Sequence, residues 1–132
     1  MNAHLIQLNA FGDKRGKLVA LEGLKEVPFE IKRVYYMFDT LPNESRGFHA
    51  HQNLEQLIIA MDGSCRFVVD DGKERCNFIL NRPDVALYIG KNIWREMHDF
   101  SYGCKVVVLA SGIYDEKEYI RHYDDFLKSL SV

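Results

Sequence analysis

The chain has 132 residues, 47% of them hydrophobic, with 17 basic and 19 acidic residues and a net charge of −2. That is the usual size of one domain around one core, so residues 1–132 are read as a single domain. The charge balance and the absence of any Lys/Arg-rich run argue against nucleic acid as a partner, and no stretch is long and apolar enough to cross a membrane as a helix.

Residues 3–9 read as a modest strand. The stretch Phe11-Gly12-Asp13-Lys14-Arg15-Gly16 reads as a loop with two glycines. Such a loop either brings Arg15 to a ligand or is a plain solvated turn. Residues 17–21 form the next strand, and Gly23 and Pro28 mark the connection after it. Residues 31–38, rich in β-branched and aromatic side chains, are the strongest strand by composition. Alternation puts Arg33, Tyr35 and Met37 on one face and Val34, Tyr36 and Phe38 on the other. Both faces read as at least partly covered, as in a barrel or sandwich.

The stretch RGFHAHQNLEQ (46–56) follows, and it carries two of the five histidines. If it is extended without a bulge, His49, His51, Asn53 and Glu55 share one face. It runs into the apolar Leu57-Ile58-Ile59-Ala60, a buried strand by pattern. Single histidines are often ordinary hydrogen-bonded residues. Two at i, i+2 with an acid on the same face suggest a polar pocket inside a small sheet structure.

Asp62-Gly63 reads as a turn. Residues 64–70 and 73–80 flank Asp71-Gly72, a two-residue hairpin signal. In that register Cys65, Phe67, Val69, Cys76, Phe78 and Leu80 share a face, so the two thiols are small core residues. With Cys104 the cysteines number three, irregularly spaced and without a paired zinc or redox motif. Three reduced thiols fit a cytoplasmic protein. Residues 81–84 turn again, and 85–89, 93–98 and 105–110 complete the strands. Trp94 reads as core or as part of a pocket mouth. Short strands with frequent turn signals make this an all-β sandwich or barrel. The period then changes. Asp115-Glu116-Lys117-Glu118 resembles a capped helix start, and Ile120, Tyr123, Leu127 and Leu130 follow at helical spacing. A short C-terminal helix covering one edge is expected.

His49-x-His51-x-x-x-Glu55, followed by an apolar strand and Gly63, resembles the first signature of the cupin superfamily. The segments IKRVYYMFDT (31–40), RGFHAHQNLEQ (46–56), GSCRFVVDDG (63–72), LYIG (87–90), WREMHDFS (94–101) and VLASGIYDEKEYIRHYDDF (108–126) resemble a narrower group, in order and over most of the chain. That group is the sugar 3,4-ketoisomerases acting on dTDP-4-oxo-6-deoxy-D-glucose. The resemblance implies a cupin-type double-stranded β-helix, or jelly-roll barrel. It implies a homodimer with exchanged N-terminal strands and chemistry without a metal or organic cofactor. A dTDP-linked 4-oxo-6-deoxyhexose is the implied ligand, within deoxysugar biosynthesis for an O-antigen or S-layer glycan.

The implied reaction moves a carbonyl from carbon 4 to carbon 3 and begins by removing the proton on carbon 3. That step needs a base of near-neutral pKa, which histidine supplies. By resemblance His49 is the base, and His51 is a second candidate for proton transfer or for orienting the sugar. Tyr35 is a candidate to hydrogen-bond or shuttle a proton; its alternative is barrel packing with a satisfied hydroxyl. Arg33 and Arg46 match family arginine positions and suit a pyrophosphate, because a planar guanidinium grips phosphate oxygens bidentately. Arg15 and Arg95 are expected near the sugar. The family's common sequence has histidine where this chain has Arg95, which offers a metal no lone pair. His98, three residues on, falls on the other strand face, so no metal is expected. A single imidazole working on one side of the ring gives a galacto product, which is the configuration expected here. Two alternatives stay open: an epimerase acting on the same sugar nucleotide, and a non-catalytic nucleotide-sugar-sensing cupin module.

Overall fold

Period-two alternation along the chain builds two facing five-stranded sheets in a computed structural model, which describes residues 1–130. In chain order the strands are β1 (Ala3–Gln7), β2 (Ala10–Asp13), β3 (Gly16–Val19), β4 (Arg33–Met37), β5 (Arg46–His51) and β6 (Gln56–Asp62). They continue with β7 (Cys65–Asp70), β8 (Arg75–Leu80), β9 (Val85–Ile89), β10 (Trp94–His98), β11 (Lys105–Ala110) and β12 (Tyr119–Ile120), before helix α1 (Tyr123–Ser129). One sheet has the order β1-β9-β6-β11-β4 and the other β12-β5-β10-β7-β8, with every pairing antiparallel. The two close face to face into the jelly-roll barrel that the sequence predicts.

One end of the space between the sheets is apolar. Ile58, Phe67, Val69, Leu87, Ile89, Val106 and Val108 are buried there together with Cys65 and Cys104. Cys76 and Phe78 pack against the same cluster, as their predicted face requires. The β7–β8 turn is longer than expected. Asp70 pairs with Arg75, so residues 71–74 form the loop. The Asp71 carboxylate accepts hydrogen bonds from the Lys73 and Glu74 amides, which stabilises the wider turn. A register shift of two residues leaves every side chain on its predicted face.

The outer face of the first sheet is covered only in part. Leu8, Val27 and Phe29 pack on Leu57, Ile59, Ala86 and Leu109. On the outer side of β4, Val34, Tyr36 and Phe38 are 56%, 70% and 61% exposed. The outer face, expected to be at least partly covered, has little cover: β4 is an edge strand, and the covering segment stops short of it. The stretch read as a loop around Arg15 is a hairpin, β2–β3, with Phe11 opposite Leu18. It forms a two-stranded sheet of its own, and nearly all of it is exposed.

The C-terminal segment also differs from expectation. Asp115 caps a single 3₁₀ turn, Glu116–Glu118, by accepting from the Lys117 amide. Residues 119–120 are then drawn off to pair with His51 and Ala50. The helix starts only at Tyr123 and buries Phe126, leaving Leu127 and Leu130 partly exposed. Trp94 packs against Tyr123 and Phe126 and is core. No helix among the described residues is long and apolar enough to cross a membrane.

Candidate active site

The polar end of the barrel is made by an irregularity in β5. Gly47 and Phe48 have φ values of +89° and +57°, and the facing strand β10 shifts register between Arg95 and Glu96. A left-handed backbone costs an aromatic residue on the order of 1–3 kcal/mol, so the surrounding packing must hold it. The result turns both histidines into the barrel. Their rings lie 4.8 Å apart and nearly perpendicular. His51 is wholly buried, and His49 lines a cavity of about 420 Å³.

Asn53 and Glu55 do not join them, against expectation. The chain bends after His51, and the Asn53 amide nitrogens reach out to Glu118. Glu55 accepts from the Tyr88 hydroxyl at 2.6 Å, and Tyr88 belongs to the outer cluster. The inward polar residue is instead Gln56, which is buried. Its Nε2 donates to the Tyr35 hydroxyl at 3.0 Å and its Oε1 accepts from Arg95 at 2.5 Å. Among the described residues no group of three or more His, Cys, Asp or Glu side chains is gathered as metal ligands. His98 lies on the other face of β10 with its ring nitrogens on Ser45 and Glu96.

Among the described residues three arginines line the cavity, Arg33, Arg46 and Arg121, and no carboxylate does. Tyr35, Tyr114 and Tyr119 complete the polar part of the wall. Arg33 sits over Tyr35 at 5.3 Å and Tyr114 at 5.7 Å. Arg121 lies 4.4 Å from the Tyr119 ring centroid and is held bidentately by Glu116, which also accepts from the Tyr114 hydroxyl. Tyr119 closes over both histidines, 4.5 Å from the His51 ring and 5.1 Å from His49. Arg95 lies behind this wall, 2% exposed, bonded to Gln56 and to the Ile93 carbonyl and paired with no carboxylate. Of the predicted residues, Arg33, Tyr35, Arg46 and His49 meet in the cavity, with His51 and Arg95 behind it. Arg15 does not. It stands at the tip of the β2–β3 hairpin, paired with Asp13, because that hairpin is bonded to neither large sheet.

Burial, and then the charge of Arg95, sets the electrostatics. Together they push His49 down to about 4 and His51 down to about 2. Both imidazoles are therefore neutral at pH 7, with lone pairs available, but His49 is a weaker base than the near-neutral one expected, because burial and Arg95 disfavour its protonated form. The Tyr35 phenol is raised by burial, against the opposing pull of Arg95, and keeps its proton. Among the described residues neither His51 nitrogen has a hydrogen-bond partner, and neither does Arg95 Nε. A buried polar atom without a partner is costly.

These shifts predict an acid-sensitive fold with an acid-tolerant base. An unfolded histidine titrates near 6.5, so below that pH the unfolded state takes up protons that folded His49 and His51 refuse. Stability therefore falls as pH drops from about 6.5 towards 4. Thermal melts between pH 7 and 5, above most carboxylate titration, are expected to show this decline. A melting temperature that stays level across that window would contradict the buried, neutral state of the pair.

Gln56, Tyr114, Tyr119 and Arg121 escaped sequence reasoning. Tyr119 and Arg121 at i, i+2 carried the signal of a strand, but the preceding capping pattern hid it. For Gln56 no signal existed, since without the bend it falls on the wrong face.

The family model described as WxcM-like, C-terminal (FdtA) matches residues 1–131. A TDP-4-oxo-6-deoxy-alpha-D-glucose-3,4-oxoisomerase from Aneurinibacillus thermoaerophilus is 50% identical over 131 residues, 99% of this chain and 94% of that protein. A 3,4-ketoisomerase from Helicobacter canadensis superposes with a TM-score of 0.98 at 55% identity, over 100% of this chain and 99% of that one. WlaRB, a TDP-quinovose 3,4-ketoisomerase from Campylobacter jejuni, does so with a TM-score of 0.94 at 61% identity, over 96% and 98%.

Proposed function

The chain belongs to the WxcM-like, C-terminal family, and from that premise we propose that it is a sugar-nucleotide 3,4-ketoisomerase. Its substrate is dTDP-4-oxo-6-deoxy-D-glucose, and its product carries the keto group on carbon 3. One observation carries the reading: a neutral histidine faces a cavity walled by three arginines and no carboxylate. A base alone would suit many sites. A base inside a wall whose charged groups are arginines suits a substrate that brings a pyrophosphate and develops further negative charge as it reacts.

In this reading Arg33 and Arg46 hold the pyrophosphate, and Arg121, ion-paired with Glu116, lines the same wall. His49 removes the proton on carbon 3. The electrons of that bond form the carbon 3–carbon 4 double bond, and the carbonyl on oxygen 4 becomes an enediolate. Arg95 supplies uncompensated positive charge behind the wall, which favours that anion. A proton returned to carbon 4, with the hydroxyl proton of oxygen 3 passing to oxygen 4, leaves a carbonyl at carbon 3 and a hydroxyl at carbon 4. His51 backs His49 and orients it or relays protons, and Tyr35 hydrogen-bonds the sugar oxygens.

The reading covers residues 1–132 as one domain, acting in the cytoplasm. Its product would pass to an aminotransferase acting at carbon 3. The working form is a homodimer in which N-terminal strands are exchanged. The detached β2–β3 hairpin, the exposed outer side of β4 and an apolar groove of about 340 Å³ between hairpin and sheet support that assembly. Exchange is also the route by which Arg15 would reach a site.

Proton NMR in heavy water tests the function. Deuterium is expected at carbon 3 of remaining substrate and carbon 4 of product, with carbon 5 keeping its hydrogen. Exchange at carbon 5 would indicate an epimerase, and binding without any exchange a sensing module. Returning the proton from the His49 side gives the galacto product, with a small coupling between the hydrogens on carbons 3 and 4 once an aminotransferase has trapped it. Tyr35 stands on the sheet opposite His49 and faces the other side of the cavity. A large coupling, the gluco outcome, would reassign the second proton to that face.

A further inference from the structure

The geometry points to Gln56 as the positioning residue that fixes which way the Tyr35 hydroxyl holds its proton. Gln56 is 1% exposed and joins two side chains of the site. Arg95 Nη1 lies 2.5 Å from Gln56 Oε1, and Gln56 Nε2 lies 3.0 Å from the Tyr35 hydroxyl. The direction of each bond follows from the groups themselves. A guanidinium has donors and no acceptor, so the amide oxygen must face Arg95. The amide NH₂ then faces Tyr35, and the phenol oxygen must accept.

A phenol has one proton. With its oxygen engaged as acceptor by Gln56, that proton points elsewhere. No protein acceptor among the described residues takes it, and Tyr35 lines the cavity. The relay Arg95→Gln56→Tyr35 thus ends in an O–H presented to the cavity. Swapping the amide would set NH₂ against guanidinium, so the buried Arg95 locks the sense of the whole chain.

This inference rests on the ketoisomerase reading. There the negative charge moves between oxygens 3 and 4, and a phenol held as donor stabilises whichever oxygen it faces. Gln56 touches neither substrate nor the reacting atoms; it acts through Tyr35.

Gln56→Glu is the discriminating variant. It keeps the shape and the acceptor for Arg95, and gives that buried cation a counter-charge. It also turns the second contact round, because a carboxylate can only accept, so Tyr35 must donate to it and withdraw its proton from the cavity. Gln56→Met keeps the length but bonds neither neighbour, leaving the hydroxyl free to rotate and Arg95 unpaired. The expected order of kcat is wild type, then Met, then Glu, with Glu lower than wild type by about 10²-fold, the low end for losing a proton-handling group. The expected order of melting temperature differs, with Glu at or above wild type and Met lowest, since removing the partner of a buried charge is destabilising. In a Tyr35→Phe background the Gln56→Glu penalty is expected to shrink to the cost of the counter-charge on Arg95 alone, because the hydroxyl it acts through is gone. Activity that follows stability, or an undiminished Glu penalty in the Phe background, would overturn the assignment. An inert wild-type chain would instead overturn the functional reading, so the two failures are told apart.

Discussion

Replacing His49 with asparagine is expected to lower kcat by about 10²- to 10⁴-fold, the range for removing a general base. The side chain lines the cavity and is neutral at pH 7, so its lone pair is available to take the proton on carbon 3. Asparagine fills similar space and keeps polarity but offers no basic nitrogen. Arg33, Arg46 and Arg121 are left in place, so calorimetry with TDP should give an affinity near that of wild type. The same protein should also fail to wash deuterium into carbon 3. Turnover close to wild type in a folded variant would remove His49 from the role of base.

The second large effect is expected at Arg95. It is buried, has no carboxylate partner, and is the second cause, after burial, of the low pKa of both histidines. Arg95→Met keeps an unbranched chain of similar reach and removes the charge. Loss of a preorganised group that favours the enediolate is expected to lower kcat/KM by about 10²- to 10³-fold. At the same time the acid limb of the kcat/KM profile, set near 4 by His49 in the free protein, should move upward towards the ordinary histidine value. Stability should hold or rise, because the desolvation of an unpaired guanidinium is relieved. A slower enzyme with a higher acid limb and an intact fold is the expected combination. An unchanged acid limb would mean that the field of Arg95 does not reach His49.

The strands were legible because their side chains alternate. The face shared by Arg33, Tyr35 and Met37 follows from period two alone, and all three line the cavity. The two thiols at 65 and 76 were placed in the core by the same reasoning, which survived a wrong loop length because the error was two residues. The failures came where alternation breaks. Glu55 and Gln56 exchange faces because the chain bends after His51, and nothing in the neighbouring residues announces that bend. Tyr119 and Arg121 were lost inside a pattern that imitates a helix start, since Asp115 does cap a turn, but a single turn. Arg15 shows another limit: its neighbours specify a hairpin, but no local pattern says that this hairpin stands apart from both large sheets.

Strand β4 has no idle side. Arg33, Tyr35 and Met37 wall the cavity, and Val34, Tyr36 and Phe38, their immediate neighbours, form an exposed apolar stripe on the sheet's back. Its hydrogen bonds run to one strand only, β11, so it lacks the second ladder that would hold its backbone if a side chain changed. Genetic drift in this segment is therefore constrained from both directions. A substitution that suits a new neighbour on the outside displaces the backbone beneath Tyr35, and one that tunes the cavity alters what the back of the sheet presents. The two faces share one short backbone, and a change on either side reaches the other through it.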